Sequence, residues 1–355
     1  MSTHDDTVTV GLLFPTEWFR DEGGLQRAVE QIEAVDPRVR VVVECYVEPH
    51  DLRMARGGPD PDVERDRAPA LTDAQRAALE QIDIAVAIDL PFDVATHAPS
   101  LRWVQGVGAG SAQLQSAGLA AAGIRLTSAA GVNAVAIAEF AVGRVLQHWK
   151  RFREFDDLQQ RHVWGNSFGR QLAGATVGLI GLGNINAAVA RRLQAFDVTV
   201  VATRRSAVPG ATAPDVDALF PPTELHTMLA QCDAVVAAVP ETPETARLMD
   251  AEAFAAMKPG AFFVNVGRGT LVDEDALIGA LESGALSGAA LDVASVEPLP
   301  PGHPLWGAPN LFLSPHAASA PDALFRNLID LLCDNLARYV AGEPMLNEVD
   351  PGRGY

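Results

Sequence analysis

Three side chains in the last quarter of the chain have the types and spacing for acid–base chemistry on an anionic substrate. They are Arg268 in NVGRG, Glu297 in DVASVEPLP and His316 in LSPHAAS. Each follows a short apolar run that reads as a buried strand, at 262–266, 289–293 and 311–313. Taken singly, each has an ordinary explanation as a solvated loop charge or a turn residue. Three of them beyond the ends of late strands in one sheet suggest a site, because open α/β sheets bind ligands at the carboxyl ends of their strands. The set suits hydride transfer to a 2-keto acid. Arg268 can clamp a carboxylate through two parallel hydrogen bonds. A developing alkoxide needs a proton, and His316 is a side chain of the right titration range. Glu297 against the other ring nitrogen would fix its tautomer and stabilise the imidazolium. A nicotinamide would supply the hydride.

Positioning such a set requires a doubly wound sheet with a dinucleotide turn. Residues 176–180 form a β-branched apolar run, followed at once by Gly181-Leu182-Gly183. From Asn184 the spacing turns helical, with Val189, Leu193 and Phe196 on one face. Strand, Gly-x-Gly turn and helix make the dinucleotide-binding arrangement. Gly181 permits the tight turn, and Gly183 lets backbone approach a pyrophosphate at the helix N-terminus. The third glycine of the motif is replaced by Asn186, whose side chain must push the helix outward or find its own hydrogen bond. Buried strands follow at 198–202 and 234–239, then at the three positions already named.

Before the glycine turn lies a second alternation, with strands at 8–14, 39–43, 84–88, 101–105 and 124–127. Helical spacing covers 24–35 and 73–82, the latter capped by Thr72. The stretch 48–70 is rich in Pro, Gly and alternating charge and reads as a surface loop or insertion. The pattern predicts an α/β protein of two domains built on parallel sheets. A final helix at about 322–339 either caps the second domain or crosses back to the first.

Composition excludes several classes. A net charge of -18 argues against nucleic acid, which needs basic clusters. The most membrane-like stretch, 129–146, is interrupted by Asn133, Glu139 and Arg144, so a helix buried between domains or subunits is expected. Cys45, Cys232 and Cys333 stand in no metal-ligand pattern and read as buried thiols of a reducing compartment, with no metal implied. MSTHDDTVTV lacks the basic and apolar regions of a secretion signal, which points to the cytoplasm.

From about residue 101 onward, ordered motifs match one family. They are QLAGATVGLIGLGNI, VPETPETARLMDAEAFAAMKPGAFFVNVGRGTLVDEDAL, GAALDVASVEPLP and PNLFLSPHAAS. The chain resembles the D-isomer-specific 2-hydroxyacid dehydrogenases, of the glyoxylate/hydroxypyruvate reductase type. The resemblance implies two Rossmann/flavodoxin-like domains, the cofactor domain (136–318) inserted into a substrate domain (1–135 plus 319–355), with the site in the cleft. It implies Arg268, Glu297 and His316 as the catalytic set, and substrate contacts from Val107 and Gly108 through backbone N–H groups and from Asn133. Asn133 is equally an ordinary N-cap of the apolar helix that follows it. Cofactor contacts would come from the glycine turn (Gly181, Gly183, Asn184, Ile185) and the end of the next strand (Thr203, Arg204, Arg205, Ser206). Further contacts would come from Val239, Pro240 and Val266, with Asp292 holding the nicotinamide carboxamide. The helix at 134–151 and the arm to 169, including Trp164, resemble the family's dimerisation segment.

Arg204 departs from the family. It occupies the position that usually carries an acid for the ribose hydroxyls of NAD, and arginine there accommodates the phosphate of NADP. NADP(H) preference is therefore expected, with NAD(H) as the second cofactor. Glu297 separates the chain from formate dehydrogenases of the same fold, which carry glutamine there, and bears less on phosphite dehydrogenases. A corepressor-like protein that senses the dinucleotide is the reading from a different class, and the acidic charge opposes it.

Overall fold

The computed structural model describes residues 7–19, 22–58, 60–208 and 211–350, and the backbone but not the side chain of residue 322. Much of the stretch read for a secretion signal, and the last five residues of the expected substrate domain, lie outside the described residues. The chain divides into two compact units, Met1–Val132 with Pro321–Tyr355, and Asn133–Ala320.

The first unit runs β1 (Val8–Leu12), α1 (Gly24–Glu33), β2 (Val39–Val43), α2 (His50–Arg56), α3 (Asp73–Gln81), β3 (Ile84–Ala87), α4 (Val94–His97), β4 (Trp103–Gly106), α5 (Ala112–Gln115) and β5 (Arg125–Thr127). Its strands form a parallel sheet in the order β2-β1-β3-β4-β5, the flavodoxin-like winding. Short strands that are mostly apolar suit a sheet covered on both faces. On one face Val10, Leu12 and Trp103 meet Ile32 of α1, and on the other Ala85 and Val104 meet Leu79 and Leu114. Thr72 caps α3 in a full capping box with Gln75.

The second unit runs α6 (Ala134–Trp149), α7 (Phe152–Gln160), β6 (Thr176–Ile180), α8 (Asn184–Leu193), β7 (Thr199–Thr203), β8 (Ala218–Phe220), α9 (Leu225–Leu229), β9 (Ala234–Ala237), α10 (Ala251–Ala256), β10 (Ala261–Asn265), α11 (Glu274–Glu282), β11 (Leu286–Leu291) and β12 (Leu311–Leu313). Its sheet is also parallel, in the order β12-β11-β10-β9-β6-β7-β8. The winding reverses between β6 and β9, which opens a crevice at their carboxyl ends. The edge strand β8, three partly buried residues, gave no periodic signal in the sequence.

The last helix, α12 (Pro321–Ala341), belongs to the first unit, where Leu328, Leu332 and Leu336 pack with Val10 and Ile32. That resolves the two courses left open for it. Two expectations need correction. The stretch 48–70 is not a solvated loop: it holds α2 and a 3-10 turn at Pro61–Arg67, and it buries Glu48, Leu52 and Arg56. Its charges misled because Arg56 is neutralised inside the fold by Glu48. Of the three cysteines only Cys232 is buried, its thiol pushed up to about 12 by desolvation, while Cys45 and Cys333 are partly exposed.

Candidate active site

The glycine turn sits at the switch point of the second sheet. Gly181 has φ +79°, and a Cβ there would lie 2.3 Å from Val239 Cγ1, two residues beyond β9, so the turn admits only glycine. Its N–H donates to Thr203 Oγ1, the last side chain of β7, at 2.9 Å. Gly183 differs. Its φ is -94°, and a Cβ there would meet nothing within 4 Å. Among the described residues nothing demands glycine at that point, and the open space leaves room for an anion at the N-terminus of the ten-residue α8. Asn184 and Ile185 open that helix.

Asn186 finds its own hydrogen bonds. It is fully buried, and Nδ2 donates to the carbonyls of Ile180 (2.9 Å) and Gly181 (2.6 Å), with Val236 O at 3.4 Å. The side chain thus ties β6, the glycine turn and β9 together from beneath α8. Its Oδ1 is buried without a partner.

Beyond β7, Arg204, Arg205 and Ser206 are exposed, with the backbone of Arg204 held by Phe220 O at 3.0 Å. Pro240 is exposed beyond β9, and Val266 is buried at the end of β10. The group of residues at the turn therefore has glycine clearance, a helix N-terminus and exposed cations, a set that fits a phosphate-bearing dinucleotide.

Next along the sheet, Arg268 follows β10. Asn265 shapes its turn, donating through Nδ2 to Arg268 O (2.8 Å) and accepting from Gly267 N–H (3.0 Å). A Cβ on Gly269 would lie 1.9 Å from the carbonyl carbon of Ala294, so the loop after β10 packs directly on the loop after β11. The Arg268 guanidinium is partly buried and donates to Gly267 O (2.8 Å), and among the described residues no carboxylate pairs with it. Asn265 was not anticipated from sequence. A buried asparagine ending an apolar strand before Gly-Arg-Gly is the signal that could have found it.

Glu297 and His316 are brought together: Glu297 Oε2 and His316 Nδ1 are 2.9 Å apart. Glu297 Oε1 accepts from Ala294 N–H at 3.0 Å, which aims the carboxylate. The loop after β11 is anchored in turn by Glu274, which accepts from Ser295 N–H and Oγ at 2.8 and 2.9 Å. His316 has φ +53°, a left-handed conformation uncommon for a side-chain-bearing residue. Asp292 holds it there. Its backbone carbonyl accepts from His316 N–H at 2.8 Å. Its buried carboxylate accepts from Ser314 Oγ (2.6 Å), Ala317 N–H (2.9 Å) and Ala318 N–H (3.0 Å). The Asp292 side chain is thus largely engaged in capping the histidine loop. Ser314 and the two alanine N–H groups also escaped the sequence reading.

The remaining residues are at the edges of this set. Asn133 precedes α6 in the N-cap position, yet its side chain makes no capping bond and Oδ1 is buried without a partner. In the first unit, Val107 N–H donates to Ala87 O (3.0 Å), which corrects its expected role as a substrate donor: the sheet ladder already uses it. Gly108 is exposed, and among the described residues its N–H has no partner.

Fold and site together define an α/β dinucleotide-binding protein with a histidine–carboxylate pair at the carboxyl edge of its sheet. Residues 142–318 match the model of the D-isomer specific 2-hydroxyacid dehydrogenase NAD binding domain. A glyoxylate reductase of Thermofilum pendens is 36% identical over 263 residues, covering 71% of this chain and 75% of that one. Among solved structures, a D-isomer specific 2-hydroxyacid dehydrogenase from Xanthobacter autotrophicus Py2 in complex with NADPH and MES superposes with a TM-score of 0.74 at 30% identity, covering 98% of this chain and 100% of that one. An NADPH-dependent glyoxylate/hydroxypyruvate reductase from Sinorhizobium meliloti, in complex with NADP and sulfate, gives a TM-score of 0.72 at 27% identity over 98% and 99% of the two chains. The chain belongs to the D-isomer-specific 2-hydroxyacid dehydrogenase family and is an NAD(P)-dependent oxidoreductase. Among the described residues no helix is long and apolar enough to cross a membrane.

Proposed function

We propose that the protein reduces a small 2-keto acid, of the glyoxylate or hydroxypyruvate class, to its D-2-hydroxy acid with NADPH. The observation that carries this reading is the His316–Glu297 pair at 2.9 Å beyond the carboxyl ends of a sheet that also carries, after β10, an Arg268 with no carboxylate partner among the described residues. His316 Nε2, on the ring edge away from Glu297, donates a proton to the substrate's developing alkoxide and is the general acid. Glu297 holds Nδ1 protonated, and the imidazolium it faces gives up the other proton. Arg268 binds the substrate carboxylate, helped by Asn133. The dinucleotide, when bound, supplies the hydride. Its pyrophosphate would be held by Gly183, Asn184 and Ile185, and its 2′-phosphate by Arg204, Arg205 and Ser206. Asp292 would turn its remaining lone pair toward the carboxamide. The relatives that act on glyoxylate and hydroxypyruvate support the substrate class.

A panel of 2-keto acids assayed with NADPH and NADH tests this. The expected result is turnover on two- and three-carbon keto acids, faster with NADPH, and a fall in kcat of about two to four orders of magnitude in His316→Ala. NADH favoured at equal concentration would remove the role given to Arg204. Absence of turnover with every keto acid would favour a dinucleotide sensor instead.

The same reading includes a homodimer formed through the helix at 134–151 and the arm to 169. In support, Trp164 and Phe168 on that arm are 103% and 80% exposed, an aromatic surface suited to a two-fold contact. Light scattering should give twice the chain mass, and a Trp164→Ser/Phe168→Ser variant should shift toward monomer.

A further inference from the structure

The loop after β11 that carries Glu297 is tied to the rest of its unit at few points. Val293 is buried where the strand ends and Leu299 packs into the core beyond, so 294–298 form an arch between two anchors. Inside the arch, Ala294 N–H donates to Glu297 Oε1 at 3.0 Å. Gly269 forms a wall behind it: a Cβ there would lie 1.9 Å from the carbonyl carbon of Ala294 and 2.4 Å from Ser295 N. Such a wall blocks inward movement but resists outward movement only through weak dispersion contacts. What draws the arch onto it is Glu274, whose Oε1 accepts from Ser295 N–H (2.8 Å) and whose Oε2 accepts from Ser295 Oγ (2.9 Å). Among the described residues, these two bonds and the one between Glu297 and His316 are the only hydrogen bonds from 294–298 to another element.

Glu274 is itself well fixed and has no competing duty. It is the first residue of α11, whose N-cap is Asp273. Asp273 Oδ1 accepts from Ala276 N–H (3.2 Å), Asp273 N–H donates to Met249 O (3.0 Å), and its carboxylate is paired with Arg247. An acid in the first helical turn ordinarily serves the free N–H groups of its own helix. Here Asp273 does so, and both Glu274 oxygens turn to Ser295 instead. The Glu274 side chain is only 12% exposed, which favours charge-assisted bonds. On its far side His303 Nδ1 accepts from Leu305 N–H (3.4 Å), so the neutral ring carries its proton on Nε2, 3.5 Å from Glu274 Oε2. The carboxylate is thus held between a histidine and a serine, and that serine is next in the chain to Ala294, the donor that aims Glu297.

We propose that Glu274 is a positioning residue for the histidine–carboxylate pair: by holding Ser295 it fixes the neighbouring Ala294 N–H and, through it, the aim of Glu297 at His316. Its effect on turnover rests on the reading of that pair as the proton-transfer group under the proposed function. The test uses the full-length protein with glyoxylate and NADPH. In the crystal structure of Glu274→Ala, Glu297 Oε2 and His316 Nδ1, 2.9 Å apart in the parent, should lie beyond hydrogen-bond reach. The same variant should lose about tenfold or more in kcat. Its KM should stay within about threefold of the parent, and its NADPH dissociation constant, from nucleotide fluorescence, within about twofold. Glu274→Gln, whose amide can accept from Ser295 N–H and donate to Oγ, should recover kcat to within about threefold. Because Glu274 acts through Glu297, Glu274→Ala should remove little further activity in a Glu297→Gln background. Ser295→Asp, which sets a second carboxylate against Glu274 from an exposed position, should separate the pair likewise and serves where Glu274→Ala does not fold. An intact pair in the variant crystal, or losses that multiply in the double variant, overturns the proposal. A pair that separates with kcat unchanged upholds the positioning and removes instead the proton-transfer reading. If the parent turns over no keto acid, the crystal structure alone decides between the two outcomes for the pair.

Discussion

Replacing Asn186 with glycine would restore the residue usual at this point of the motif, and the structure predicts harm rather than gain. Two buried hydrogen bonds, to Ile180 O and Gly181 O, disappear, a loss of about 2 kcal/mol at roughly 1 kcal/mol each. Ile180 O keeps a second donor in Ala238 N–H at 3.2 Å, so Gly181 O is the group left exposed to the core. Glycine in place of asparagine inside α8 adds only about 0.3 kcal/mol of helix propensity. Removing the unpartnered Oδ1 returns about 1–2 kcal/mol. The net is a destabilisation of about 0.3–1.3 kcal/mol, or roughly 1–5 °C in Tm for a unit of this size. Because the freed carbonyl belongs to the turn that should receive the pyrophosphate, NADPH binding should weaken about three- to tenfold. Thermal melting with and without NADPH, following the transition that the nucleotide raises, together with a fluorescence titration, measures both. Asn186→Asp is the sharper companion: a carboxylate facing three carbonyls has no donor to offer, and a loss of about 3–5 kcal/mol is expected for a stranded buried charge. Tighter NADPH binding by Asn186→Gly at unchanged or higher Tm would refute this account of the turn.

Other outcomes follow from the site and its surroundings. Glu297→Gln should lower kcat by roughly one to three orders of magnitude in steady-state assays while leaving the NADPH dissociation constant nearly unchanged, because the amide can no longer serve both Ala294 N–H and the His316 ring as an acceptor. Asp292→Asn sets an amide donor against Ala317 N–H or Ala318 N–H. Stopped-flow turnover should fall at least tenfold, and exchange of those two amide protons should accelerate; slow exchange in the variant would show that the loop does not depend on the carboxylate. His148 is packed face to face on Phe262 and bonded to Ser287, and burial pushes its imidazole down to about 4. The unfolded chain, titrating near 6.5, binds the extra proton first, so this contribution to stability is complete above that pH and is lost as pH falls toward 4. Denaturant midpoints across pH 7 to 4 should decline in the parent and decline less steeply in His148→Gln.

Much of this protein is legible in its sequence, for reasons that are local. Apolar runs of four to six residues mark buried strands whatever they pair with. Gly-x-Gly between a strand and a helix marks a turn whose backbone only glycine adopts, as Gly181 shows with its positive φ. Strand ends mark where ligands bind, which singled out Arg268, Glu297 and His316. Other features depend on groups far apart in the chain and on desolvation. Whether Asn186 disturbs the motif depends on carbonyls at Ile180, Gly181 and Val236, the last fifty positions away. The charges of 48–70 look solvated until Arg56 is seen to meet Leu90 and Ser116. Val107 looks like a donor to a ligand until β3 takes its N–H. The sequence by itself determined the elements and the chemical types at the carboxyl edge of the sheet. Only the tertiary structure decided which polar groups are already satisfied, because a buried donor or acceptor is defined by its partner and not by its neighbours in the chain.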